Sequence, residues 1–561
     1  VFKQIFPIVQ WLPNYHPSWL RADLVAGFTL AAYAIPVALA YGSLAGLPSE
    51  VGLYCYMLGA VGYAFFGTSR QLAVGPTSAI SILVGASLAP LANGDAERYL
   101  ALASSTAVLV AVICVLAWLL KLSQIVNFIS EPILTGFKAG AALQIASTQL
   151  PELFGVTSGG SNFFSRIWDL LHHWREIQPV TLLVGGLALV LLIVGDRLWP
   201  TKPISLMVVI LAIVAMGITG LPEQGVKVVG EIPQGLPTFG IPHWSFSDLD
   251  SLLPLALACF LLSYIEGIST ARSFAIKHNY RINPEQELLA IGAANLAAGL
   301  GQGYPIAGGL SQSAVNEKAG AKTPLAIIIT ACIIAIVLLF FTGLFRNLPE
   351  AILGAVVLVA VKGLINIPEL LHLKKVAQKE FRVSLVALFG VLCFGVLQGV
   401  LLAAIASILL LIHIISHPSS AVLGRIADSE QFSDLERHPE NLIIPGILIY
   451  RINGPILYFN INNIESDFFT QLSQQQEPVE LVIFEMGTSP GLDTPAARWF
   501  KILSQRLNQQ GIALKLVNAS GRVRDRLRLE GLETQVGTFG RLDTINSLIA
   551  EFNTQEPLDS P

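Results

Sequence analysis

Leu252–Phe274 reads LLPLALACFLLSYIEGISTARSF, an apolar run interrupted by one carboxylate, Glu266. A bilayer core of roughly 30 Å takes about 20 apolar residues of helix, and this run is that long. Ala101–Leu120, Thr181–Val194, Pro324–Leu344 and Val383–Ile415 have the same character, and the last holds two helices, with Gly395 and Gly399 near the turn. Of the 561 residues, 53% are hydrophobic and 13% charged, whereas soluble domains run near a quarter charged. Mean hydropathy is +0.63. The apolar character ends near His417. The chain therefore divides into a lead-in (1–20), a membrane body (21–416), a linker (417–441), a small soluble domain (442–553) and a tail expected to be disordered (554–561).

Working outward, fourteen membrane elements are expected at 21–41, 50–67, 76–90, 98–120, 124–147, 179–198, 203–219, 252–275, 286–302, 309–320, 324–345, 349–366, 383–394 and 396–416. They split into seven plus seven across the Pro- and Gly-rich stretch between Gly220 and Asp250. Sorting the loops alternately gives one set rich in Lys and Arg (Arg70, Lys121, Arg197, Lys202, Lys318, Lys322, Lys374 and others) and one poor in them. The basic side faces the cytoplasm, so both termini are expected there. Val1–Arg21 lacks the basic-then-apolar pattern of a signal peptide. The five cysteines lie in apolar segments without a CxxC, which argues for buried small hydrophobes rather than disulfides or a metal site.

Two short segments stand apart. The third opens with Val-Gly-Pro-Thr-Ser at Val74–Ser78, the tenth with Gly-Gly-Leu-Ser-Gln-Ser at Gly308–Ser313. A matched pair of short, Gly- or Pro-interrupted segments in two halves points to a transporter binding site. Helix N-termini present free N–H groups and a positive dipole end to an anion, and Thr77, Ser78, Ser311 and Ser313 add hydroxyls. Ordinary helix starts lined by small residues are the alternative. A mid-membrane carboxylate costs about 2.5–3.5 kcal/mol on insertion scales. Glu266 is thus an ion-coupling group or a neutral, hydrogen-bonded structural acid; Ser263 and Thr270 share its helix face. Tyr41, beyond Pro36 in the first segment, is a substrate donor or part of an interfacial aromatic belt. Glu131, Lys138 and Lys362 fit snorkelling or internal pairing, His172-His173 a solvated loop, and Asp493 the cap of a helix starting at Thr494. No GxxxxGK[ST] loop, zincin motif or nucleophile elbow is present, which excludes an ATP-driven pump and gives no sign of an enzyme, a cofactor or nucleic-acid binding.

In the tail, Gly446–Ile452 and Pro455–Asn460 alternate around Asn453-Gly454, the signature of a hairpin. Leu481–Met486 and Ala513–Val517 are expected strands, Thr494–Gln509 and Val523–Leu532 expected helices, giving a small α/β domain.

Ala26–Pro48 (AGFTLAAYAIPVALAYGSLAGLP), Gly67–Gly85 (GTSRQLAVGPTSAISILVG) and Gly308–Thr323 (GGLSQSAVNEKAGAKT) resemble the SulP family of sulfate-permease-like anion transporters, and the tail resembles its STAS domain. The resemblance implies an α-helical polytopic membrane protein of 14 transmembrane segments in a 7+7 inverted repeat, divided into core and gate domains, with a cytoplasmic STAS domain. It implies a homodimer and an elevator-like movement; the compact termini resemble those of bacterial proteins, so the cell inner (plasma) membrane is the expected location. It places the anion at Tyr41, Thr77, Ser78, Ser311 and Gln312 and ion coupling at Glu266; the backbone of Ala79 joins the expected anion site, and Thr270, on the same helix face, joins Glu266. A Glu at that position resembles proton-coupled members; sodium-coupled bicarbonate carriers tend to have Asp. Sulfate by proton symport is the leading expectation. Bicarbonate, nitrate or a dicarboxylate, with sodium as a possible coupling ion, are alternatives within the family. A passive anion channel, or a scaffold recruiting cytosolic partners through STAS, are alternatives of another class. Two positions depart from sulfate-type members: Val37 stands where many have Gln, and Gln312 where many have Arg.

Overall fold

The computed structural model describes residues 5–123, 131–156, 162–199, 203–219, 225–242 and 248–555. It falls into two compact units, Val1–Ile408 and Leu409–Pro561.

The first unit is helical. Its first half holds α1 (Leu20–Leu44), α2 (Ser49–Phe66), α3 (Ser78–Ala92), α4 (Ala96–Leu119), α5 (Glu131–Phe154), α6 (Phe163–His172), α7 (Pro179–Leu198) and α8 (Ile204–Thr219). The second half holds α9 (Leu249–Lys277), α10 (Pro284–Leu300), α11 (Leu310–Lys318), α12 (Leu325–Phe340), α13 (Glu350–Lys362), α14 (Ile367–Val376), α15 (Gln378–Phe394) and the first part of α16 (Val396–Ser416), whose remainder belongs to the second unit. The elements recur at a spacing of eight. Strands β1 (Val74–Gly75) and β2 (Ala307–Gly308) precede the two short helices α3 and α11, and α6 and α14 occupy matching places. Among the described residues, five helical stretches are long and apolar enough to cross a membrane by length and composition: Pro17–Leu44, Ala96–Leu119, Pro179–Leu198, Leu249–Lys277 and Glu350–Val376. Apolar side chains face outward along α7 and α8, among them Leu183, Leu187, Val190, Leu211 and Ile218; such exposure suits lipid rather than water.

Every expected segment has a helix at its place. The segment expected at 124–147 lies outside the described residues up to 130, as does the side chain of Glu131. The stretch after Val383 breaks where foreseen, at Gly395, whose φ of 94° suits glycine. Helices α6 and α14 are additions. Their exposed apolar residues (Phe164, Trp168 and Leu171; Ile367 and Leu371) mark them as surface helices, too short and mixed to register as spans. His172, expected in a loop, ends α6. Three cysteines are buried as expected; Cys332 and Cys393 are exposed on α12 and α15, because they sit on outward helix faces.

Helices α1–α4 and α9–α12 pack mainly with one another, through pairs such as α10 on α4, α10 on α2 and α12 on α1. A second group forms around α5, which packs on α15, α13 and α7. The groups meet where α1 touches α8 and α13, and α3 touches α5.

The second unit carries β3 (Ser419–Arg425), β4 (Phe432–Asp434), β5 (Ile447–Asn453), α17 (Ile461–Ser473), β6 (Leu481–Glu485), α18 (Thr494–Asn508), β7 (Ala513–Val517), α19 (Gly521–Leu529) and α20 (Ile545–Gln555). The sheet runs β4-β3-β5-β6-β7, with β5, β6 and β7 parallel. One face is covered by an aromatic cluster of Phe468, Phe484, Trp499 and Phe500, the other by Ile449, Ile483 and Ile549. Burial on both faces explains why the first four residues of β6, LVIF, are all apolar, before the half-buried Glu485.

Two expectations are corrected here. The linker at 417–441 contains β3 and β4, so the sheet begins at Ser419. The hairpin at Asn453-Gly454 does not form: β3, not Pro455–Asn460, pairs antiparallel with β5. Ile456 instead bridges in parallel to Leu492, and the chain enters α17. Pro455 lacks the N–H a returning strand needs. Of the tail at 554–561, residues 554 and 555 finish α20 and the remainder lies outside the described residues.

Candidate functional site

The chain is broken twice at membrane depth, just before α3 and just before α11. Irregular backbone is tolerated there only if its polar groups are satisfied. Strands β1 and β2 pair antiparallel, Val74 with Gly308 and Gly75 with Ala307, and Gly309 N donates to Ala73 O at 3.1 Å. Side chains meet the rest. Ser313 Oγ accepts from Ala73 N at 2.9 Å and donates to Gly309 O at 2.7 Å. Asn316 Nδ2 donates to Gln71 O at 3.0 Å and Gln312 Nε2 to Pro76 O at 2.7 Å. Asn295 holds Ile306 on both sides, donating to its carbonyl at 3.1 Å and accepting from its N–H at 2.9 Å, and Ser263 Oγ donates to the same carbonyl at 2.8 Å.

Because the crossing strands run in opposite directions and a helix leaves each, both helix N-termini end at the crossing. The first intrahelical bonds are Ser81 N to Thr77 O and Ser313 N to Gly309 O. The N–H groups of Ser78, Ala79 and Ile80, and of Leu310, Ser311 and Gln312, precede those bonds and are the unpaired donors of a helix start. Neither cap, Thr77 nor Gly309, satisfies them with a side chain. Thr77 Oγ1 and Gln312 Oε1 are themselves buried without a partner among the described residues.

Tyr41, Thr77, Ser78, Ala79, Ser311, Gln312, Glu266 and Thr270 line one cavity of about 280 Å³. Tyr33 and Lys138 line it too. The Tyr41 hydroxyl faces Ser78 and that of Tyr33 faces Ser311, so the Tyr41 ring belongs to the cavity wall and not to an interfacial belt. Ser313, expected among the donors, is absent from this wall; it is fully buried and its hydroxyl fastens β1 to α11. Ser263 likewise serves the β2 backbone.

Three buried acids separate structure from site. Asp23 accepts from Lys322 N (2.7 Å), Thr323 N (3.1 Å), Thr323 Oγ1 (2.7 Å) and Tyr15 Oη (3.1 Å). Glu287 accepts from Tyr63 Oη and Thr68 N, both at 2.8 Å, and from Thr68 Oγ1 at 2.5 Å. Both are satisfied anchors. Glu266 is 9% exposed and has no hydrogen-bond partner among the described residues. A hydrogen-bonded structural acid does not look like that. Its helix presses on the break: a Cβ at Gly308 would lie 2.9 Å from Gly267 Cα, so the residue after Glu266 touches the strand that feeds α11.

Lys138, expected to snorkel or to pair internally, was not expected at the binding site. The signal that finds it is the Gly136-x-x-x-Gly140 stripe, which commits the opposite face of α5 to a neighbour. A second cavity of about 630 Å³ shares Tyr33 and Ser311 with the first and extends past Val37 to Asp196 and Lys318.

The sulfate permease family profile matches residues 20–387, and the STAS domain profile residues 438–545. The chain belongs to the sulfate permease family. Across 97% of its length it is 34% identical to a Mycobacterium tuberculosis protein named probable sulfate transporter, covering 98% of that protein. It is 31% identical to the chloroplastic sulfate transporter 4.1 of Arabidopsis thaliana over 95% of this chain and 80% of that one. The inward-facing structure of the murine Solute Carrier 26 family member A9 anion transporter superposes with a TM-score of 0.89 at 22% identity, covering 98% of this chain and 94% of that one. The transmembrane domain of a cyanobacterium bicarbonate transporter, BicA, superposes with a TM-score of 0.62 at 24% identity, over 70% of this chain and 98% of that one. These two structures share the fold. As a sulfate permease family member the chain is a multi-pass membrane transporter, not an enzyme.

Proposed function

We propose that the chain carries a small inorganic oxyanion, sulfate first, across the membrane together with a proton. One observation carries this reading: two helix N-termini with unpaired N–H groups and a buried carboxyl without a hydrogen-bond partner among the described residues face a single small cavity. The helix ends, with Thr77, Ser78, Ala79, Ser311 and Gln312, bind the anion. Tyr41 orders the pocket, Glu266 exchanges the proton and Thr270 supports it. The separate packing of α1–α4 with α9–α12 supports an elevator-like movement of that group against the helices around α5. The second cavity runs toward Lys318 and Asp196 on the basic side, which supports access from the cytoplasm in this state, with both termini and the STAS domain inside and the inner (plasma) membrane as the site. Relatives bearing sulfate-transporter names support the substrate class; a homodimer follows from the family resemblance. A passive channel has no need of a titratable mid-membrane acid.

Bicarbonate is the second reading, on one specific ground. Gln312 spends one amide N–H on Pro76 O, and its Oε1 is buried without a partner among the described residues, so the site holds an unused acceptor. An acceptor disfavours a bare dianion and suits an oxyanion that still carries an O–H.

The test is radiolabelled sulfate uptake by purified protein in liposomes under an inward proton gradient, an inward sodium gradient or neither, with unlabelled bicarbonate, nitrate and succinate as competitors. Proton-driven sulfate accumulation is expected. Transport of bicarbonate instead, with no sulfate uptake, moves the assignment to the second reading; uptake of neither refutes both.

A further inference from the structure

The cavity wall contains two charged side chains among the described residues, Glu266 on α9 and Lys138 on α5; Tyr33 and Tyr41, both on α1, are its other titratable groups. The helix N-termini bring dipoles but no net charge. Helix α11 contributes an amide, Gln312. Lys138 is thus the one full positive charge on this wall among the described residues.

Its orientation follows from packing. Gly136 and Gly140 let α5 meet α15 backbone to backbone: a Cβ at Gly136 would lie 1.9 Å from Ser384 O, and one at Gly140 2.6 Å from Leu388 O. On a helix of 3.6 residues per turn, position 138 is about 200° around from 136 and from 140. It therefore points away from α15. Leu134 and Thr135, one turn earlier on that face, line the same cavity. Lys138 makes no hydrogen bond or ion pair within the described residues, yet acts electrostatically on Glu266. An intramembrane cation without a structural partner among the described residues points to a substrate or ion pathway.

We propose that Lys138 is the anion's fixed countercharge, and that the anion and the Glu266 carboxylate compete for it. This rests on the anion-transport reading above. In the empty site Lys138 and ionised Glu266 balance each other across the cavity. An arriving anion takes the positive charge, and Glu266 then faces that anion unless it binds a proton from the open side. Anion and proton are therefore taken up together; with a monoanion the site ends as it began, without excess charge, and with sulfate one negative charge is left for the two helix N-termini to stabilise. Lys138 belongs to the group around α5, and Glu266 to the group of α1–α4 and α9–α12, so sliding of the groups parts the pair. The lysine thereby supplies, from the opposite side of the cavity, the charge that α11 lacks.

The experiment is a double-mutant cycle on the full-length protein in detergent: wild type, Lys138→Met, Glu266→Gln and the double variant, with Lys138→Arg as the conservative control. Thermal unfolding is followed first without added anion, then with sodium sulfate or sodium bicarbonate. Without anion, each single variant is expected to lower the midpoint, and the double to recover part of the loss. Additive losses would overturn the pairing. With anion, Lys138→Met is expected to weaken apparent affinity about ten- to a hundredfold, the worth of a hydrogen bond to a charged group. Lys138→Arg keeps most of it, and Glu266→Gln binds more tightly than wild type. Undiminished affinity in Lys138→Met, in a protein that still unfolds cooperatively, overturns the countercharge. If neither anion shifts the wild type while the cycle stays non-additive, the pairing stands and the anion assignment fails.

Discussion

Gly308→Ala is a small change with a large expected effect. The added methyl would sit 2.9 Å from Gly267 Cα and 2.9 Å from Leu72 Cδ1. Carbon atoms rest at about 3.5–4.0 Å, so β2 and α9 must part by roughly 0.6–1.1 Å. Leu72 can turn aside; the backbone at Gly267 cannot, because α9 is wedged against α4 and α10. Overpacking of this kind costs about 1–3 kcal/mol of stability. The functional loss is expected to exceed that, since Glu266 and the N-terminus of α11 are the two groups being separated. A misplacement near 1 Å at a reacting site costs on the order of a hundredfold, so initial uptake is expected to fall about ten- to a hundredfold. Gly186→Ala on α7 is the control: its added Cβ meets nothing within 4 Å, and alanine is the better helix former by about 1 kcal/mol. The assay is liposome uptake with thermal unfolding of the same preparations. Wild-type uptake by Gly308→Ala would refute the claim that the α9–β2 contact sets the site.

Three further outcomes are expected. Asp23→Ala strands the N–H groups of Lys322 and Thr323 and the Thr323 hydroxyl, so a loss of at least about 3 kcal/mol should appear as a lowered unfolding midpoint. The Tyr15 phenol is pushed up from 10.0 to about 12, by burial first and then by the neighbouring Asp23 carboxylate. An unfolded chain loses that proton earlier, so stability falls as pH rises from about 10 to about 12; Tyr15→Phe should flatten this part of the unfolding-versus-pH curve. Phe484→Ala empties the centre of the aromatic cluster, where its ring lies 5.3 Å from those of Tyr450 and Phe500 and 5.2 Å from that of Phe468. A loss of about 3–5 kcal/mol should make the second unit of the full-length protein markedly more sensitive to limited proteolysis.

Most of the membrane architecture was legible because lipid makes one demand on every crossing segment, length with low polarity, and that demand is local in sequence. The two half-helix openings were legible for a related reason: Pro76 and Gly308-Gly309 break runs that would otherwise continue. Helices α6 and α14 escaped because surface helices need only one apolar face, and their polar residues read as loop. In the soluble unit the Asn-Gly signal at Asn453-Gly454 outweighed Pro455, although a turn residue fixes only a local bend and the partner of β5 is chosen by sheet packing. Residue roles divided in the same way. Ser311 and Ser313 look alike in sequence, but two positions on a helix turn one toward the cavity and the other into the strand pair. Lys138 read as snorkelling or internally paired, and its place at the cavity was not legible, because its direction depends on which neighbour claims Gly136 and Gly140.

The most direct measurement compares wild type and Glu266→Gln in two modes on one liposome preparation: sulfate accumulation driven by an inward proton gradient, and exchange of labelled against unlabelled sulfate with no gradient. Wild type is expected to do both. Glu266→Gln, which keeps the side chain's shape and removes its proton exchange, should lose gradient-driven accumulation and retain exchange. Accumulation by the variant that still follows the proton gradient would contradict the account, because the proton would then travel by a route that does not include Glu266.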